Sequence, residues 1–173
     1  MKNEAIDVLM NRRAIRRFKA EQITGEHLRT VLEAGTYAPT ARGMQTPVIV
    51  AVQNPDDRRD VSELNAKIQG SDADPYYGAP TIILVLAEDD RFAELNGAAV
   101  TTNMLNAAYA VGLGSCWIHR PNEMFRTGEG KALLKKWGME ENLVGVASIA
   151  LGYADCDAPA PKPRKENYYT IIK

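Results

Sequence analysis

Four arginines fall within six residues in the run NRRAIRRF: Arg12, Arg13, Arg16 and Arg17. Like charges this close repel one another unless an anion neutralises them. A guanidinium presents a rigid fork of donors matched to phosphate oxygens, so the run is a candidate phosphate seat. Its competing reading is a solvated basic turn at a helix end, where the helix dipole favours cations. A second basic element, KPRKE, stands near the other end of the chain with Lys162, Arg164 and Lys165. Alone it reads as a solvated tail. Pro159, Pro161 and Pro163 stiffen the stretch, however, and so present its cations at fixed positions. If it folds back beside Arg12 and Arg16, five or more cations converge, and that convergence calls for a multivalent anion such as a phosphate monoester.

Other motifs exclude more than they suggest. GLGSCW (112–117) lacks the third glycine of a dinucleotide fingerprint, and GEGKA (128–132) lacks the first glycine and the Ser or Thr of a Walker A loop. No serine sits in GxSxG. His27 and His119 have no sequence partner for a metal site, and Cys116 and Cys156 match neither a metal spacing nor a disulfide framework. Cys116, within a strand, reads as an inert buried thiol.

The elements that must position these residues follow from periodicity. Residues 3–11 read as a short helix with Ile6, Leu9 and Met10 on one face. Thr24 caps a second helix that runs toward Tyr37 and stops before Pro39. Residues 38–47 form a proline-bounded loop, 48–53 a strand, 55–68 a polar helix, and 81–87 a strand apolar without alternation. The longest helical pattern, 93–112, carries Gly97, Ala98, Ala99, Ala107, Ala108 and Ala110, which allow a close neighbour if they are more than good helix formers. A strand at 113–118, a helix near 129–137 and a core strand at 143–151 follow. Residues 151–173 form an extended arm ending in YYTIIK, expected to dock away from its origin, on a partner subunit. The order predicts one α+β domain over 1–173 with a mixed central sheet.

The 173 residues suffice for one core, and a 45% hydrophobic, 25% charged chain is an ordinary globule. A net charge of −1 disfavours a nucleic-acid protein, and no aromatic residues interleave with the basic ones. No segment reaches membrane-spanning length and the N-terminus lacks a secretory apolar run, so no membrane partner and a cytoplasmic location are expected.

Five pieces then occur in order: Arg12-Arg13-Ala14-Ile15-Arg16, Ala38-Pro39-Thr40-Ala41 with Gln45, Tyr77-Gly78-Ala79-Pro80, Gly112-Leu113-Gly114-Ser115-Cys116-Trp117-Ile118, and Lys162-Pro163-Arg164. Together they resemble the FMN-dependent nitroreductase family over nearly the whole chain. The resemblance implies a homodimer with two FMN sites at the subunit interface, flanking helices around the sheet, and a C-terminal arm exchanged between subunits. It implies that Arg12, Arg13, Ala14 and Arg16, with Lys162 and Arg164, line the seat of the FMN phosphate and ribityl chain. Pro39, Thr40 and Ala41 would pack on the flavin from the partner subunit with Gln45 nearby. Trp117 and Ile118 would lie along the ring, and Asn65 and Lys67 would meet its pyrimidine edge.

The implied reaction is ping-pong: NADH or NADPH passes hydride to flavin N5 and leaves, and a nitroaromatic or quinone takes its place. No side chain is then a catalytic acid, base or nucleophile, and no metal is required, because the cofactor carries the chemistry. Lys67 is the expected positive group beside the reduced ring; His119 is a proton source or a structural residue behind it. A flavin-holding storage or sensing protein with little turnover is the alternative. The chain departs from the family pattern at Ala14, where Ser is usual, at Gly43, where Asn is common, and at Thr46-Pro47, where Pro-Trp is common.

Overall fold

The computed structural model describes residues 3–173. β2 (Thr81–Ala87) is buried along its whole length, which is why its apolar run shows no alternation. Ile82, Leu84 and Leu86 face one core, and Ile83 and Val85 face the other. β1 (Val48–Val52) and β4 (Val144–Gly152) pair with β2 on either side, and β3 (Gly114–Ile118) pairs with β4. The order is β1-β2-β4-β3.

All three ladders are antiparallel. The parallel component expected of a mixed sheet is confined, among the described residues, to an isolated bridge between Ala14 and Ser115. β2 and β3 do point the same way, but β4 lies between them.

One core gathers residues of α3 (Pro55–Gln69), α5 (Pro121–Arg126) and α6 (Gly128–Lys136); the other gathers those of α2 (Gly25–Thr36) and α4 (Ala93–Ala110). Thr24 caps α2 by accepting from the His27 amide at 3.2 Å. The sequence gives no sign of α5, because six residues beginning at Pro121 are too few to show a period.

The small residues of α4 do permit a close approach. A Cβ at Gly97 would come within 2.6 Å of Val146 of β4. Gly97→Ala gains up to about 1 kcal/mol of helix propensity, but overpacking costs typically about 1–3 kcal/mol. A lower melting temperature is therefore expected; a rise on thermal unfolding would show that Val146 has room to retreat.

α1 (Glu4–Asn11) buries nothing within this chain. Its apolar residues Ile6, Leu9 and Met10 are exposed, as are Tyr168, Tyr169, Ile171 and Ile172 at the end of the arm.

Candidate functional site

Both chain ends meet at one sheet edge. After α1 the backbone runs extended, and Ile15 sinks against Gly114, where an added Cβ would lie 3.0 Å from it. The Ile15 amide donates to the Ser115 carbonyl at 3.0 Å. Farther along, the Lys19 amide donates to the Tyr153 carbonyl and the Asp155 amide to the Arg17 carbonyl. The Arg17 guanidinium also donates to the Asp155 carbonyl. The root of the C-terminal arm is thus clasped to the arginine run.

Beyond this clasp the arm folds back. Pro159 to Arg164 face Leu9 to Ala14 and Arg16 across a cleft of about 930 Å³. Arg12, Arg13, Ala14, Arg16, Lys162 and Arg164 all line it. The four arginines divide the work. Arg17 holds the arm, and Arg13 donates through Nη1 to the Met10 and Arg12 carbonyls at 2.8 Å each, capping the end of α1. Arg164 donates to the Lys162 carbonyl. Among the described residues the side chains of Arg12 and Lys162 make no hydrogen bond or ion pair, and that of Arg16 reaches only the Cys116 sulfur, so all three face the cleft without a counter-ion.

From its start beside Ala14, β3 leads away from the cleft. At roughly 3.3 Å per residue, Ser115 and His119 lie about 13 Å apart. At the far end Trp117, Ile118 and His119 line a smaller pocket with Tyr77 and Arg120. Buried polar groups fix this end. Ser148 Oγ donates to the Ile118 carbonyl at 3.1 Å, and Asn65 Nδ2 donates to the His119 carbonyl at 2.8 Å. Asn65 also reaches the Tyr76 hydroxyl at 3.2 Å, which sits 3.0 Å from Ser148 Oγ. Burial pushes the Tyr76 hydroxyl up to about 12, so it remains a neutral member of the network.

Asn65 has no exposed surface, so it cannot meet a ring edge in this conformation and acts on β3 through His119. Lys67 lies elsewhere, on the outer face of α3, paired with Glu129 at 2.7 Å. Neither residue lines the cleft or the pocket at the end of β3.

The loop carrying Pro39, Thr40, Ala41 and Gln45 also stands apart from both in this chain. It is held open by a buried side chain that the sequence did not single out. Asn96 Oδ1 of α4 accepts from the Ala41 amide at 2.8 Å, and its Nδ2 donates to Thr46 Oγ1. Thr40 Oγ1 accepts from the Gln45 amide. Arg42, Gly43 and Gln45 are all left-handed, so the loop keeps its shape against a conformational cost at the two non-glycine positions. An amide in the middle of the small-residue helix was the available signal for Asn96.

Cys116 is buried in β3, and burial raises its thiol pKa, with Arg16 and Arg12 pulling the other way. It should resist alkylation at neutral pH, whereas the partly exposed Cys156 should react. Peptide mapping after iodoacetamide checks this; prompt labelling of Cys116 would contradict the packing.

Fold and cleft define a class: an α+β protein with a cation-lined cleft assembled from two segments far apart in its sequence. The model of the nitroreductase family matches residues 9–153, and the chain belongs to that family. A nitroreductase from Bacteroides fragilis, solved with bound FMN, is 30% identical and superposes over 99% of this chain and 100% of its own, with a TM-score of 0.89. A nitroreductase with bound FMN from Desulfitobacterium hafniense, 23% identical, shares the fold over 100% of both chains at a TM-score of 0.89. A curated protein of Archaeoglobus fulgidus, provisionally named an NADH dehydrogenase/NAD(P)H nitroreductase, is 27% identical over 172 residues, 95% of this chain and 90% of its own.

Proposed function

We propose that this chain is an FMN-dependent NAD(P)H oxidoreductase that acts as a homodimer on small electron acceptors such as nitroaromatics and quinones. The observation that carries the reading is the cleft itself, where Arg12, Arg16 and Lys162 stand without counter-ions. A phosphate monoester supplies the missing negative charge, and each charge-assisted hydrogen bond contributes roughly 1.5–3 kcal/mol. Arg13 Nε and Ser115 Oγ, buried without partners beside that seat, are two further donors whose desolvation a ligand or ordered water would offset.

When bound, FMN supplies the hydride chemistry, accepting from NADH or NADPH in one half-reaction and reducing the acceptor in the next. The protein's part is to hold and orient. Arg12, Arg16, Lys162 and Arg164 take the phosphate, with Arg13 and Ala14 forming the backbone wall. Trp117 and Ile118 align the ring along β3, stiffened from below by Asn65 and Ser148. Pro39, Thr40, Ala41 and Gln45 cover the ring from the partner subunit, which accounts for a rigid loop that meets neither half of the site in its own chain. The exposed apolar faces of α1 and of the arm's end support the dimer. A cytoplasmic setting, where reduced nicotinamide is made, goes with this reading.

Identification of the flavin released from purified protein, followed by NAD(P)H oxidation with a nitroaromatic or quinone, tests the proposal. A colourless protein that ignores added riboflavin 5′-phosphate overturns it. Tightly bound FMN without turnover would favour the storage alternative.

A further inference from the structure

Two polar side chains of α4 are buried, Asn96 and Thr101. Thr101 turns back onto its own helix, donating to the Gly97 carbonyl at 2.7 Å. Asn96, only 4% exposed, spends both ends of its amide on one loop. Its Oδ1 takes the Ala41 amide at the entrance, and its Nδ2 gives to Thr46 Oγ1 at the exit. Between these points the loop closes on itself. The Gly43 amide donates to the Thr40 carbonyl, the Met44 amide to the Ala41 carbonyl, and the Gln45 amide to Thr40 Oγ1. Asn96 is therefore a clip that fixes a self-closed loop to the helix at two places.

The clip stands on firm ground. Beside it, Gly97 lies so close to Val146 of β4 that the helix has no room to move toward the sheet. Two turns along the same face, Asn103 donates to the Ala34 carbonyl at 3.2 Å and holds the end of α2 from which the loop departs. Thr46 makes the arrangement particular to this chain. Proline is common at that position in the family, and proline has no hydroxyl to accept the Asn96 bond.

We propose that Asn96 is a positioning residue for the flavin: through Ala41 and Thr46 it holds Pro39, Thr40, Ala41 and Gln45 in the shape that covers the ring. The inference rests on the reading that this loop covers the ring from the partner subunit. A loop fixed in advance leaves little ordering to be done when the cofactor binds, and affinity rises accordingly. The left-handed backbone at Arg42 and Gln45 sharpens the requirement, because an unclipped loop gains by relaxing out of those conformations.

The test compares full-length Asn96→Ala, Thr46→Val and Thr46→Ser with the wild type. Thr46→Val keeps the shape of the side chain and removes the acceptor; Thr46→Ser keeps the acceptor. Amide hydrogen exchange in peptides covering 38–47 should quicken at least about tenfold in Asn96→Ala and less in Thr46→Val, while β2 keeps its protection. FMN should bind roughly three- to tenfold more weakly to Thr46→Val, the worth of one neutral hydrogen bond, and more weakly still to Asn96→Ala. The visible circular dichroism of the bound flavin should change in both. Thr46→Ser should recover most of the affinity and the wild-type spectrum. Unchanged loop exchange in Asn96→Ala, or wild-type FMN affinity in both Asn96→Ala and Thr46→Val, overturns the proposal. So does a Thr46→Ser variant as weak as Thr46→Val, which would make the effect one of packing. A wild type that takes up no FMN sinks the oxidoreductase reading and this role together, whereas a flavin-binding wild type with indifferent variants sinks this role alone.

Discussion

Arg12→Ala is expected to weaken FMN binding by on the order of 2–4 kcal/mol, roughly 30- to 1,000-fold, with little change in thermal stability. The size follows from what Arg12 does in the unliganded chain. It has no intramolecular partner, so nothing in the fold is lost with it, whereas two or more charge-assisted bonds to phosphate are. Arg13 makes the useful contrast. Its guanidinium caps α1 through the Met10 and Arg12 carbonyls, so its removal should lower stability as well as affinity. Titration of FMN into the apo variants, read by flavin fluorescence, separates them. Wild-type affinity in Arg12→Ala would take that residue out of the seat.

Truncation before Asn167 should give a poorly dimeric, flavin-poor protein. Tyr168, Tyr169, Ile171 and Ile172 are 69–89% exposed in the isolated chain. Covering such side chains fully contributes roughly 1.5–3 kcal/mol each, and two arms per dimer would double the total. The ordering entropy of the arms takes back a share, but several kcal/mol of association remain. Loss of the arm's end also frees Lys162 and Arg164 from their fixed place opposite Arg12. Sedimentation and the flavin absorbance of the purified truncation decide the matter; a yellow dimer of undiminished stability would reject the exchanged arm.

How legible the fold was depended on whether a residue's role was local. β2 announces itself because burial on both faces forbids polar residues, and the Thr24 cap and Gly97 carry their physics in their own types. Strand direction does not. A strand, a long helix and a second strand suggest a parallel crossover, but β4, last in sequence, enters between β2 and β3 and makes every neighbouring pair antiparallel. Such an insertion is a long-range event that no window of periodicity contains.

The candidate site divides along the same line. Clustered arginines and proline-spaced cations are visible as composition, and the structure brings them to one cleft. The resemblance implies a ring edge for Asn65 and Lys67, whereas in the structure one is a core amide holding the His119 carbonyl and the other is paired with Glu129. Single polar residues on helices give no sign of which way they face. Asn96 stands out only as an amide within the small-residue helix, and nothing in its type says that it holds the Ala41 loop.

The clasp between Arg17 and Asp155 has a consequence for biosynthesis. About 150 residues separate Arg12 and Arg16 from the Lys162 and Arg164 they face across the cleft, so a growing chain on the ribosome carries the arginines long before their facing cations. On the proposed reading, cofactor capture awaits the emergence of Lys162 and Arg164, and a product that stops short of them should hold the prosthetic group poorly however well its sheet had formed.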